Sequence, residues 1–172
     1  MNQPSPIPDS EDGDRLVHAE LAVFADDWTI TVRDAAAPFD ATARPWIQAL
    51  LRDFVAAQDG AIGITTARPV RVPLTIGVRS HEPAGDDLER WDHVVETGLH
   101  TPTGRLITSP FPRRPTIRRP SPSHYAARVH HAGLGTVSPD GLDGDDRYYL
   151  VLWPDIPRSP RVLKRYPHSI GG

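Results

Sequence analysis

The side chains best suited to chemistry in this 172-residue sequence are its eight histidines and the carboxylates near them. The best combination is Glu96 with His100, because residues four apart on a strand lie on the same face. One possible function is therefore a metal-dependent enzyme centred on these two residues, with His131 from a neighbouring strand. The pattern is more typical of the solvent-facing polar side of a strand, since the adjacent His130 and His131 point to opposite faces. We expect no metal and no cofactor.

Other catalytic signatures are absent from the sequence. It contains no cysteine, which excludes disulfides, thiol catalysis and thiolate metal sites. No serine lies in a Gly-x-Ser-x-Gly motif, and neither common type of glycine-rich phosphate loop occurs. The acidic run 140–146 lacks the carboxylate spacing of a calcium loop. These observations favour a protein that binds over one that catalyses.

Acidic residues are concentrated in three segments, 26–27, 86–92 and 140–146. The formal net charge of −3 excludes a generally basic protein that coats nucleic acid. If the three segments gather at one end of the fold, they form an anionic face that can mimic nucleic-acid phosphates and block a nuclease. The predicted contacts with such a protein partner are Asp86, Asp87, Asp143, Asp145 and Asp146.

A proline- and arginine-rich segment, 109–123, suggests a different kind of binding. Its five prolines stiffen the chain around two arginine pairs. Paired guanidinium groups grip phosphates, so binding of nucleic acid or a phosphorylated ligand is the alternative function. The simpler interpretation is a long extended loop kept soluble by its charge. The alternative ligand-binding residues are Arg113, Arg114, Arg118 and Arg119.

The elements that position these residues are mostly strands. Alternation of apolar and polar residues predicts about eight of them, at 16–25, 28–32, 61–65, 70–78, 91–100, 105–108, 125–132 and 147–153. Apolar residues at helical spacing predict one helix over 44–58, and Pro73 predicts that its strand lies at a sheet edge or is bulged there. Asp26-Asp27 and the turn at 101–104 predict hairpins. The fold expected is mainly β: an antiparallel, jelly-roll-like β-sandwich.

The ends of the sequence differ in charge and are both rich in proline. We expect an acidic disordered tail at 1–14, a single β-sandwich domain at 15–154 and a basic tail at 155–172. The first residues lack the basic start and apolar run of a secretory signal, and no apolar stretch approaches membrane-spanning length. We therefore expect a cytoplasmic protein with no membrane partner.

Three motifs follow one another in the second half of the sequence: WDHVVE at 91–96, YAARVHHAGL at 125–134 and DDRYYLVLWP at 145–154. In this order they resemble the competence protein J family, whose best-known role is the inhibition of a DNA-entry nuclease. The resemblance covers about 65 residues. It implies a non-catalytic protein that binds another protein, as an inhibitor or immunity protein of a nuclease or toxin.

The residues that carry the resemblance can also be explained as residues that build the fold. Trp91 and Trp153 would act as aromatic anchors. Arg128 is expected to pair with a carboxylate such as Glu96, because a buried charge without a partner is costly. The functional residues would then lie in loops outside the shared motifs.

Overall fold

Two β-sheets with a shared core form the protein. The computed structural model describes residues 15–85, 87–109, 116–118 and 123–171. This part of the chain contains eleven strands, the α-helix α1 (Arg44–Asp53) and the 3-10 helices Leu88–Arg90 and Leu134–Thr136. The mainly β, two-sheet prediction is confirmed, with eleven strands where the sequence predicted about eight. No helix in the described part is long and apolar enough to span a bilayer.

The large sheet has six strands in the order β1-β5-β10-β9-β6-β11. Its pairs are antiparallel except β5 with β10, so the sheet is mixed and not purely antiparallel as predicted. The strands of the large sheet are β1 (Arg15–Phe24), β5 (Arg71–Arg79), β6 (His93–Thr101), β9 (Ser123–Ala132), β10 (Arg147–Pro154) and β11 (Arg161–Lys164).

The small sheet has five strands in the order β3-β4-β2-β7-β8, and every pair is antiparallel. Helix α1 packs on its outer face, where the Trp46 ring lies against Gly63 of β4. A Cβ at residue 63 would lie 2.4 Å from that ring, so the close approach requires glycine. The strands of the small sheet are β2 (Thr29–Asp34), β3 (Val55–Gln58), β4 (Ala61–Thr65), β7 (Arg105–Ser109) and β8 (Thr116–Arg118).

The hydrophobic core lies between the two sheets. Alternate residues of the central strands point inward, among them Leu74 and Ile76 of β5, Leu150 of β10, and Ile62 and Ile64 of β4, all fully buried. Each such side chain contributes about 1.5–3 kcal/mol to folding through burial. The intervening residues of the large sheet point to its other side, called here the outer face.

The chain crosses the outer face of the large sheet twice. Strands β5, β10 and β6 run in the same direction, so residues 80–92, called here the crossover, must return along the sheet before β6 begins. After β10, residues 155–160 pass over β6 to reach the edge strand β11. In both places loop residues cover side chains that would otherwise face solvent.

Both predicted turns are present, but neither pairs the two strands that flank it, because each turn carries the chain from one sheet to the other. At 26–27 the hairpin is limited to the single bridge between Asp26 and Thr29. Asp27 and Trp28 adopt left-handed φ angles of 48° and 54° in a tight turn, but β1 pairs with β5 while β2 pairs with β4 and β7. The turn at 101–104 likewise links β6 of the large sheet to β7 of the small sheet. The turn-forming residues can be recognised in the sequence, whereas the pairing of the strands depends on residues far away in the chain.

Three further expectations are corrected. Pro73 lies in an interior strand and pairs with Ala22 of β1 without a bulge, and the parallel ladder with β10 begins only at the following residue, Leu74. Helix α1 ends at Asp53, because Phe54 takes a left-handed φ of 59° and the chain continues as β3. The basic tail predicted at 155–172 is not detached, since β11 joins the large sheet and Tyr166 packs against the core. The predicted tail at 1–14 lies outside the described residues.

Candidate functional site

The three motifs at 91–96, 125–134 and 145–154 meet on the outer face of the large sheet, around a pair of oppositely charged side chains. Glu96 of β6 and Arg128 of β9 are register partners, and both are buried, with 4% and 6% of their surface exposed. Arg128 donates from Nε (3.2 Å) and Nη2 (3.0 Å) to Glu96 Oε2. The pairing predicted from the sequence is confirmed. It satisfies a charge that would otherwise be strongly destabilising in this position.

Residues from the two crossing segments complete an ion-pair cluster around Glu96 and Arg128. From the crossover, Glu82 accepts a 2.9 Å bond from Arg128 Nη2. From the segment after β10, Arg158 donates to Glu96 Oε1 at 2.5 Å and also pairs with Asp155. The cluster (Glu82, Glu96, Arg128, Asp155 and Arg158) therefore fastens both crossing segments to the sheet.

Trp153 contacts both guanidinium groups of this cluster. Its ring centroid is 5.0 Å from the Arg128 guanidinium carbon and 5.4 Å from that of Arg158. Each contact places a cation over an aromatic ring, which is favourable electrostatically. Gly98 permits the approach of the second arginine, because a Cβ there would lie 3.0 Å from the Arg158 backbone. The motif residue Trp153 is thus an anchor of the fold.

Two neighbouring arginines keep the carboxyl group of Glu96 ionised. Burial by itself raises the pKa of Glu96, but hydrogen bonds and positive charge from Arg128 and Arg158 outweigh burial and hold the pKa below its usual value. Both carboxylate oxygens are occupied by arginines. Glu96 is therefore an ionised structural carboxylate, without a free oxygen positioned to hold a metal or move a proton.

The residues of the metal-enzyme hypothesis do not converge. His100 shares the outer face with Glu96, as expected, but it stacks on His124 at a centroid distance of 4.2 Å near the far end of β6. His131 points to the opposite side of the sheet, into the core. Within residues 15–85, 87–109, 116–118 and 123–171, no group of three His, Asp or Glu side chains could hold a metal ion.

A histidine pair, His93 and His131, occupies the core side of the same two strands. The rings are 5.2 Å apart and both residues are fully buried. His93 Nδ1 accepts a 3.1 Å bond from the Tyr166 amide, so Nε2 carries the proton donated to the Asp53 carbonyl at 2.8 Å. Burial lowers the pKa of both rings, and it lowers the pKa of His131 to about 3 with help from the neighbouring His93. Both are neutral packing residues at neutral pH.

The acidic segments leave the fold at one end of the large sheet, called here the acidic end. Phe24, the last residue of β1, pairs with Arg71, the first of β5, while the first residue of β6 and the second of β10 both pair with His131 near the end of β9. The turn at 26–27, the residues before β6 and the loop at 133–146 therefore emerge together. Exposed carboxylates in these segments are Asp26, Asp27, Asp87, Glu89, Asp140, Asp143 and Asp145.

The predicted contact residues separate into exposed and buried members. Asp87 is exposed and caps the 3-10 helix that follows it, accepting a bond from the Glu89 amide (3.2 Å). Asp143 and Asp145 are exposed, and in the described part of the chain only their backbones make hydrogen bonds. Asp86 lies outside the described residues.

Asp146 faces inward and has a structural role. It is 1% exposed, forms an ion pair with Arg68 and accepts a 2.7 Å bond from the Tyr148 hydroxyl. This geometry links the loop before β10 to the loop before β5. Asp146 therefore offers no carboxylate to a partner on this surface, although its sequence neighbours do.

The arginine-rich segment is described only in part. Arg113, Arg114 and Arg119 lie outside the described residues. The backbone of Arg118 belongs to the edge strand β8, opposite Arg105 of β7. The part of this segment that the structure describes thus extends the small sheet.

Sequence reasoning did not find Glu82, Asp155 and Arg158 as members of the ion-pair cluster. Each is a single charge in a loop, and nothing in its immediate sequence predicts a distant partner. The one available signal was Gly98, a glycine inside a predicted strand, which indicates a close approach by another backbone. In the structure that backbone is the one at Arg158.

Two solved structures share this arrangement of strands. A crystal structure of ComJ from Bacillus subtilis, an inhibitor of the DNA-degrading activity of NucA, matches with a TM-score of 0.57 at 15% identity. The match covers 82% of this chain and 97% of ComJ. This chain has the competence protein J fold.

The second structure with this fold is described as crocagin biosynthetic gene J. It matches with a TM-score of 0.56 at 18% identity, over 81% of this chain and 97% of the other. No protein-family model and no curated protein matches the sequence. The fold implied by the motif resemblance is thus found, and at these identities the likeness to the two structures concerns the fold alone.

Proposed function

We propose that this protein is a non-catalytic binding module that acts as an inhibitor or immunity protein of a nuclease or toxin, through the acidic end. The observation that carries the proposal is the convergence of three acidic loops on that end, where the described residues include seven exposed carboxylates and one exposed arginine, Arg90. The likeness in fold to ComJ, which inhibits a nuclease, supports a role of the same class.

The electrostatic argument follows from how nucleases hold their substrate. A nucleic-acid groove uses arginine and lysine side chains to contact phosphates. A surface rich in exposed carboxylates is complementary to such a groove, speeds the encounter and competes with the nucleic acid. The carboxylates of Asp143 and Asp145 suit this role because no side-chain hydrogen bond within the described residues engages them.

The test is affinity purification from the native host with the full chain as bait. We expect wild-type protein to retain a nuclease or toxin in stoichiometric amount and to suppress its activity on its substrate. The D143K/D145K variant should weaken this binding by about tenfold or more, because it replaces attraction with repulsion. Added salt should weaken the wild-type complex as well.

A matched variant controls for the change in total charge. D40K/D59K alters two exposed carboxylates by the same amount at the other end of the molecule, near the β3–β4 turn. Because Asp40 Oδ1 accepts two hydrogen bonds from Thr42, circular dichroism checks that this variant is folded. It should bind the partner like wild type. Equal binding by D143K/D145K and wild type would overturn the proposed site, and an eluate containing only nucleic acid would overturn the proposed function.

A further inference from the structure

Strand β1 is a long edge strand without the features that usually protect one. It lies at the end of the large sheet, and in the described part of the chain no strand pairs with its outer edge. Its ten residues include no proline and no lysine, and its irregularity is confined to the step between Arg15 and Val17. Such an edge presents backbone N–H and C=O groups to any strand that fits.

The two faces of β1 have different chemistry. Val17, Ala19 and Leu21 point toward the core but are only half-buried, so the apolar layer is incompletely covered at this edge. His18 and Glu20 point to the outer face and are exposed, and within one chain His18 Nε2 lies 3.4 Å from Glu20 Oε1. An added strand would therefore have to offer apolar residues on one face and a complementary acid and base on the other.

A second copy of β1 meets both requirements. We propose that two copies of this chain pair antiparallel through their β1 strands, about a two-fold axis at Ala19. In this register His18 faces Glu20 of the second copy, twice by symmetry, and Val17 faces Leu21 of the second copy. The apolar row continues across the interface, and the two large sheets become one twelve-stranded sheet.

Side-chain chemistry disfavours the neighbouring registers. A two-fold axis perpendicular to the sheet keeps the core-facing residues of both copies on the same side. Each residue can then lie opposite only a residue of the same face, so the axis must lie at the level of one residue, which faces its own copy. An axis at His18 sets two imidazoles opposite each other and Glu20 opposite Leu16, without an acid–base pair. An axis at Glu20 places two carboxylates opposite each other, which is destabilising. An axis at Leu21 sets Glu20 opposite Ala22, where no acid–base pair forms. Ala19 is the centre that satisfies both faces.

The oligomeric state of the purified full chain tests this inference. Light scattering coupled to size exclusion should give twice the monomer mass of 19.0 kDa. H18E places two acidic residues opposite each other at both symmetry-related positions and should shift the protein to monomer, with dimer affinity lowered at least about tenfold. Position 18 is exposed, so circular dichroism should show a folded variant.

The exchanged variant H18E/E20H identifies the register. It restores an acid opposite a base in both positions, so the dimer should return. A wild-type mass of 19.0 kDa at every concentration would overturn the inference, as would a dimer that H18E leaves intact. The result is independent of the acidic end, because D143K/D145K should keep the dimer mass.

Discussion

The two faces of strands β6 and β9 bury polar residues in opposite ways. On the outer face Glu96 and Arg128 remain charged, because each has an oppositely charged partner within 3.0 Å. On the core side, three register steps away, His93 and His131 are buried as well. Among the described residues no oppositely charged group lies as close to either ring, and both rings remain neutral. Neighbouring positions in one strand pair thus show that burial preserves a charge only when a partner accompanies it.

The largest expected effect comes from removing the charge of Glu96. E96Q removes the buried carboxylate that Arg128 and Arg158 share and leaves them the half-exposed Glu82, so we expect the free energy of unfolding to fall by about 3–5 kcal/mol. Chemical denaturation measures it. E82Q is the control, because Glu82 is half exposed and its loss should lower the free energy by less than about 1 kcal/mol. Equal losses in the two variants would show that burial does not distinguish these carboxylates.

The buried histidines on the core side should make the free energy of unfolding depend on pH. The folded-state pKa of His131, about 3, lies below the unfolded value near 6.5, so the unfolded chain takes up the proton first. The stabilisation is complete above pH 6.5 and decreases as pH falls toward about 3, by about 1.4 kcal/mol per unit. We therefore expect a loss of about 2 kcal/mol between pH 8 and pH 5.

Denaturation curves of wild type and H131F at several pH values check this expectation. Phenylalanine removes the titrating group while keeping an aromatic ring in the core. The variant should show a flatter pH dependence between pH 8 and pH 5. A slope as steep as that of wild type would mean that other groups cause the loss. The lowered pKa of Glu96 acts only at more acidic pH, so the two faces can be separated.

A smaller loss of stability is expected at Gly98, where the segment 155–160 is held by close backbone packing. In G98A the new methyl group would lie 3.0 Å from the Arg158 backbone, and the displaced segment should cost about 1–3 kcal/mol. Thermal unfolding and limited proteolysis within 155–160 measure the change. G85A is the control, since nothing lies within 4 Å of a Cβ there and only its φ of +62° adds strain. Unchanged cleavage in G98A would mean that the backbone contact does not fix the segment.

The smallest effect is expected for an exposed ion pair. Arg165 contacts Asp53 at 2.8 Å but is half exposed, so R165A should lower the free energy of unfolding by less than about 1 kcal/mol. Added salt should reduce the difference between variant and wild type. A loss as large as that in E96Q would break the contrast between buried and exposed charges.

The sequence allowed the elements and one side-chain pair to be predicted. Period-two alternation located eight strands, and the rule that a buried arginine needs an acid connected Arg128 to Glu96. Local turn residues also located the bends at 26–27 and 101–104. These features depend on neighbours in sequence or on a general electrostatic requirement.

The remaining features depend on contacts between distant residues. Whether a turn closes a hairpin or changes sheets is decided by the strands that meet later, as β5 does with β1. Phe54 could not be recognised as a helix end, because the apolar spacing continues through it, whereas the left-handed φ at which the helix stops is rare for phenylalanine. Asp146 and Asp145 look alike in sequence, and only the position of Arg68 separates the buried acid from the exposed one.

The parallel pair β5–β10 also determines when the large sheet can assemble during synthesis. Leu74 and Tyr148 are register partners 74 positions apart, and β10 joins β1 and β5 to the rest of the large sheet. During synthesis on the ribosome, the emerging chain carries two separate halves of that sheet until β10 leaves the exit tunnel. A nascent chain that ends before β10 exposes bare strand edges, which makes it a natural client for chaperones.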